Sequence, residues 1–135
     1  MGLPPETEYR AFDIDTRLAA LVARFLRLSG RGGLAAAWDL LSPPPEEALG
    51  ADLALLWKTL PLLEQQERGA GLKLLRGLPA RWWIVSFPAR SLGGREKGMR
   101  EHYDRLARDL ARLLRRPLRR LDLPNETFYI LAPAE

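Results

Sequence analysis

The sequence predicts an α/β fold, and three observations predict it. Short apolar segments of strand-like composition alternate along the chain with segments whose apolar residues recur at helical spacing. Glycine, proline, serine and aspartate punctuate the boundaries between them. The last two strand-like segments are separated only by Leu123-Pro124-Asn125, which reads as a β-hairpin closing the fold.

Taken in order, Glu8 to Ile14 reads as a strand ending in Asp13-Ile14-Asp15. Thr16 to Leu28 reads as an amphipathic helix, with Leu18, Leu21, Val22, Phe25 and Leu28 on one face and Arg17, Arg24 and Arg27 away from it. Ser29-Gly30 supplies the stop, and Asp15 is the better placed of the two acids to cap the start. Leu34 to Trp38 is a short apolar strand, followed by Asp39, the turn Pro43-Pro44-Pro45 and a weak helix at Glu46 to Leu49. Asp52 to Trp57 is a candidate buried strand, and Leu62 to Arg76 a helix weakened by Gly69 and Gly71. Arg81 to Phe87 is the next strand. Met99 to Arg116 is the strongest helix, with Met99, Tyr103, Leu106, Leu110, Leu113 and Leu114 on one stripe and Pro117 breaking it. Leu118 to Asp122 and Glu126 to Leu131 form the hairpin. With no internal repeat and no linker, residues 1–135 are expected to form a single domain.

Composition narrows the function. Apolar residues make up 47% and charged residues 28% of the chain, a globular balance. The absence of cysteine rules out disulfides and thiolate metal sites and fits a reducing cytoplasm. No apolar run approaches the roughly 20 residues that span a bilayer, and Met1 to Glu6 has neither the basic start nor the apolar core of a signal peptide. A cytoplasmic protein without a membrane partner is expected. Net charge is +4, but residues 90–120 hold 11 Lys or Arg against 4 Asp or Glu, so the positive charge is concentrated on one stretch. Such asymmetry suits an anionic partner, although an arginine-rich solvated helix would share it.

The densest motif is Ser86-Phe87-Pro88-Ala89-Arg90-Ser91-Leu92-Gly93-Gly94-Arg95-Glu96-Lys97-Gly98-Met99. A strand runs into a proline and a loop with three glycines and three cations. Glycines allow close backbone approach to a ligand and cations suit a polyanion; a plain mobile connector has the same composition. No Ser/His/Asp, Cys/His or metal-ligand spacing is present, which counts against hydrolases and metalloenzymes. His102, the only histidine, reads as a surface or packed helix residue.

That motif, with Tyr9-Arg10-Ala11-Phe12-Asp13-Ile14-Asp15, residues 55–66 (LLWKTLPLLEQQ) and Glu126-Thr127-Phe128-Tyr129-Ile130-Leu131, resembles the Arm-type (FmrO-like) aminoglycoside-resistance 16S rRNA methyltransferases over essentially the whole chain. The resemblance implies a class I S-adenosylmethionine-dependent (Rossmann-like) methyltransferase fold, present from its second strand onward and so N-terminally truncated. The first strand, its glycine-rich cofactor turn and an N-terminal helical region would be absent. Only eight residues precede Tyr9, without a Gly-x-Gly turn after a strand, and Met1-Gly2-Leu3-Pro4 resembles the segment just after that turn in longer members.

The resemblance also implies roles. Asp13, with Ile14, would bind the ribose of S-adenosylmethionine, as doubly wound folds place an acid there; a helix cap is the alternative. Asp39 and Leu40 would meet the adenine, where turn chemistry is the alternative. Trp57 would wall the adenosine pocket and Gln66 lie near the cofactor, against a core tryptophan and a solvated helix residue. Lys58, Arg90, Ser91, Arg95, Lys97, Met99 and Arg100 would grip RNA. No general base is expected, because guanine N7 carries a lone pair and no proton. The implied function is methylation of N7 of a decoding-site guanine in 16S rRNA of the small ribosomal subunit, giving aminoglycoside resistance. An inactive RNA-binding remnant is the runner-up, and an enzyme acting on another RNA is a third reading.

Overall fold

The computed structural model describes residues 3–89 and 96–134, with the backbone alone at residues 96–98. They group into two compact units divided between Ala48 and Leu49.

In the first unit, β1 (Tyr9–Asp13) leads through α1 (Thr16–Leu28) into β2 (Gly33–Ala37), which pairs with it in parallel from Tyr9↔Gly33 to Asp13↔Ala37. A parallel pair needs such a crossover. Asp15 caps α1, its Oδ1 accepting from the Arg17 amide at 2.8 Å. Gly30, at φ +70°, ends the helix in a left-handed turn: its amide donates to the Arg27 carbonyl and that of Arg31 to Leu26. Gly33 is required where the strands meet, because its φ is +134° and a Cβ there would run into the Tyr9 backbone.

The face of α1 that the pattern assigns to the core is instead exposed. Ala19 and Leu26 are its buried residues, whereas Leu21 and Phe25 are 63% and 64% exposed. Two five-residue strands are too narrow to cover a stripe that wide.

The second unit is a four-stranded sheet of order β3-β4-β6-β5, with β3 (Ala51–Trp57) and β4 (Ala80–Pro88) parallel. The hairpin of β5 (Leu118–Asp122) and β6 (Glu126–Leu131) falls where the sequence places it and adds antiparallel to β4. The expected helix over residues 62–76 is two helices, α2 (Leu60–Gln66) and α3 (Ala70–Gly77). Gly69, at φ +86°, makes the break, and the Glu64 carboxylate accepts from the amides of Gly69 (2.9 Å) and Gly71 (3.0 Å) at the start of α3. Those amides have no partner within a helix, so the glutamate acts as a cap.

The last helix, α4, runs Glu96–Leu113 and ends before Pro117 is reached. Arg115 stops it at φ +54°, with its amide on the Arg112 carbonyl and that of Arg116 on Ala111. α4 buries Ala107, Leu110 and Ala111, whereas Leu113 of the expected stripe is exposed. Opposite them Trp83, Val85, Phe87, Tyr129 and Leu131 alternate inward from β4 and β6. Phe87 stacks on Tyr103 at 4.8 Å between centroids and meets Tyr129 edge-on at 5.6 Å. β3 is not the buried strand its composition suggests. Among the described residues it has β4 as its only sheet neighbour, and Leu53, Leu55 and Trp57 on one face are about half exposed.

Candidate functional site

In the first unit, the carboxyl ends of β1 and β2 bring two acids to one sheet edge. Asp13 ends β1 opposite Ala37, and its carbonyl accepts from the Trp38 amide, so Asp39 comes within two residues of the pair. Each carboxylate commits one oxygen to local structure. Asp13 Oδ1 accepts from the Asp15 amide at 2.8 Å, and Asp39 Oδ1 from the Leu41 amide at 3.0 Å. Asp39 thus shapes a turn, as its alternative reading has it, whereas the helix cap is Asp15 and not Asp13. Oδ2 of each has no protein donor among the described residues, and both side chains face solvent. Ile14 is exposed beside Asp13, Leu40 is half-buried, and Phe12 meets the buried Trp38 edge-on at 5.5 Å. The edge therefore offers two carboxylate oxygens as acceptors.

In the second unit the carboxyl edge of the sheet carries Trp57, Lys58, Ser86 and Glu126. Trp57 lies half exposed, edge-on to Phe128 at 5.3 Å. Lys58 leaves the strand at φ +52°, a left-handed conformation that costs a side-chain-bearing residue about 1–2 kcal/mol. Its amide donates to both the carbonyl and the hydroxyl of Ser86, each at 3.1 Å. The Ser86 hydroxyl, fully buried, donates in turn to Glu126 Oε1 at 2.6 Å. Gln66 is the exposed last residue of α2.

Beyond the edge, Arg100 is committed to structure, donating from Nε to the Ala89 carbonyl at 3.0 Å, and Met99 is half-buried. Arg90, Ser91 and Arg95 lie outside the described residues, as does the side chain of Lys97. α4 is tied to the hairpin by Asp104, which accepts from Arg108 (2.8 Å), Arg120 (3.1 Å) and the Tyr129 hydroxyl (2.8 Å). Burial would raise the Asp104 carboxyl, but the hydrogen bonds from Arg108 and Tyr129 and the charges of Arg108 and Arg120 outweigh it. They hold it below the usual carboxylate range. Tyr129 is pushed up, first by burial and then by its bond to Asp104. His102 is exposed on α4 beside Tyr103.

Sequence reasoning singles out Trp57 and Lys58 but misses Ser86 and Glu126 as their partners. The signal was a hydroxyl inside the otherwise apolar run Trp82 to Phe87, where a polar side chain needs a partner. Among the described residues no cluster of His, Cys, Asp or Glu is placed to hold a metal ion, and no helix is long and apolar enough to cross a membrane.

The family model "Ribosomal RNA methyltransferase (FmrO)" matches residues 1–130. The chain belongs to this family. It is 38% identical over 131 residues to the 16S rRNA (guanine(1405)-N(7))-methyltransferase of Micromonospora rosea, covering 97% of this chain and 47% of that protein. It is 39% identical over 131 residues to the enzyme of the same name from Frankia casuarinae, covering 97% and 46%. The crystal structure of the 16S rRNA methyltransferase RmtF in complex with S-adenosyl-L-homocysteine matches with a TM-score of 0.79 and 35% identity, over 93% of this chain and 47% of that one. The chain thus spans about half the length of the curated relatives it matches. The fold is that of the class I methyltransferases, as the motifs of the sequence imply.

Proposed function

We propose that this family member serves S-adenosylmethionine-dependent methylation of N7 of a decoding-site guanine in 16S rRNA, with the small ribosomal subunit as substrate, the cytoplasm as its place of action and aminoglycoside resistance as the outcome. The observation that carries the reading is the pair Asp13 and Asp39, at the carboxyl ends of neighbouring parallel strands, each with one oxygen that has no donor among the described residues. The donor set of an adenosine fits them. Ribose hydroxyls suit the Asp13 carboxylate, and the adenine amino group suits Asp39, with the Leu40 backbone beside the ring. Bound there, S-adenosylmethionine supplies an electrophilic methyl on a sulfonium.

The remaining work falls to the chain's own residues. Guanine N7 has a lone pair and no proton to lose, so the protein needs to orient and hold the base, not to deprotonate it. Lys58, exposed at the carboxyl edge of its sheet, takes a phosphate of the target strand. Trp57 offers an aromatic wall on the same edge.

The test is transfer of labelled methyl groups to small ribosomal subunits, read as strand scission at 7-methylguanosine. The reading expects a single modified guanine in the decoding site. A folded protein that transfers no methyl group, or transfers it to another atom, would overturn it. Asp13→Ala is expected to weaken cofactor affinity by about 1.5–3 kcal/mol, the worth of a hydrogen bond to a charged group, and to leave RNA affinity unchanged.

A further inference from the structure

Ser86 has no role in the function proposed above, yet three features of the carboxyl edge converge on it. Its strand position faces Trp57 on β3 and Phe128 on β6, so the three residues form one row across three strands. Directly paired residues share a face, and a side chain as small as serine in the middle lets the outer rings meet at 5.3 Å. Its hydroxyl accepts from the Lys58 amide and donates to Glu126, using both of its capacities while wholly buried. Lys58 itself is held in a left-handed conformation, one of two such non-glycine residues among those described. Strained backbone of this kind persists where the surroundings over-determine it.

We infer that Ser86 is a positioning residue, whose hydroxyl clamps the left-handed Lys58 turn to the Glu126 carboxylate so that Trp57, Lys58 and Glu126 form one rigid ledge facing the target RNA. The inference deepens the proposed function and rests on it for the identity of what the ledge faces. The clamp itself does not depend on that reading. Thr59 contributes from the other side, its hydroxyl donating to the Trp57 carbonyl at 2.7 Å. Without the Ser86 hydroxyl the Lys58 amide keeps only the Ser86 carbonyl, and the turn is free to relax out of the left-handed region. The lysine then loses its aim while the strand below it remains paired.

Two measurements test this. The first is a stability cycle of Ser86→Ala with Lys58→Gly, read as denaturant midpoints. Glycine adopts the left-handed turn without strain, so the midpoint drop from Ser86→Ala is expected to be smaller in the Lys58→Gly background. Equal drops in the two backgrounds would overturn the clamp. Glu126→Gln keeps an acceptor for the hydroxyl and is expected to keep the wild-type midpoint, whereas Glu126→Ala is expected to lower it.

The second is the salt dependence of binding to small ribosomal subunits. Ser86→Ala and Lys58→Ala are each expected to reduce the slope of log K against log salt by about 0.7–0.9, the value of one phosphate contact. The double variant should lose no more than either alone. Additive losses would contradict a positioning role. If Lys58→Ala leaves the slope unchanged, the phosphate role of Lys58 in the proposed function fails, while the midpoint cycle still decides the clamp.

Discussion

At the scale of single residues, several side chains matter because they satisfy groups the backbone leaves open. Asp104 is the clearest case. It takes three donors from three elements, α4, β5 and β6, and lies about a quarter exposed, so losing it leaves Tyr129 and Arg120 short of an acceptor. Asp104→Asn is expected to cost about 1–3 kcal/mol near neutral pH. The pH dependence comes from the sign of the shift. A carboxyl held below its ordinary value of 3.8 contributes stability that is complete above that pH and is lost as pH falls toward the lower folded value. Denaturation of both proteins between pH 7 and pH 2 should therefore show a gap that is constant down to about pH 4 and narrows below it. A gap that widened on acidification would contradict the assignment. Asp104, Ser86 and Glu126 were not legible as a working set in the sequence. Their partners lie 16 to 40 residues away, a pairing only the sheet register creates.

At the scale of elements, the sequence located strands and helices well where caps and turns were explicit, and failed where burial had to be inferred. Asp15, Gly30 and the Leu123-Pro124-Asn125 turn set boundaries that the structure keeps. The break between α2 and α3 was half visible in Gly69 and Gly71, while its stabiliser, Glu64, was not singled out by the sequence. Removing it in Glu64→Ala should cost about 1–2 kcal/mol, as loss of a helix cap does, read as a shift in thermal midpoint. A neutral effect would show that those amides find water equally well. The apolar stripe of α1 makes the opposite point: helical spacing reports amphipathicity, not what covers the face. Because Leu21 and Phe25 are mostly exposed, Leu21→Lys and Phe25→Lys are each expected to change the stability of this chain by no more than about 0.5 kcal/mol. A loss of several kcal/mol in denaturant titration would mean the stripe is covered in solution.

At the scale of the whole molecule, the alternation of elements was enough to predict an α/β fold, and the family motifs were enough to predict which one. The carboxylate edge of Asp13 and Asp39 was legible because each acid sits at the end of a strand. Gln66 ends α2, a position set by where that helix starts and stops. The most direct test of the central claim is calorimetric titration of S-adenosyl-L-homocysteine into this polypeptide, its Asp13→Ala variant and its Asp39→Ala variant. Saturable binding by the wild-type chain, weakened about tenfold or more by either substitution, in keeping with loss of a hydrogen bond to a charged group, is the predicted result. Binding that both variants retain at full strength, or none by a chain shown to be folded, would contradict the account.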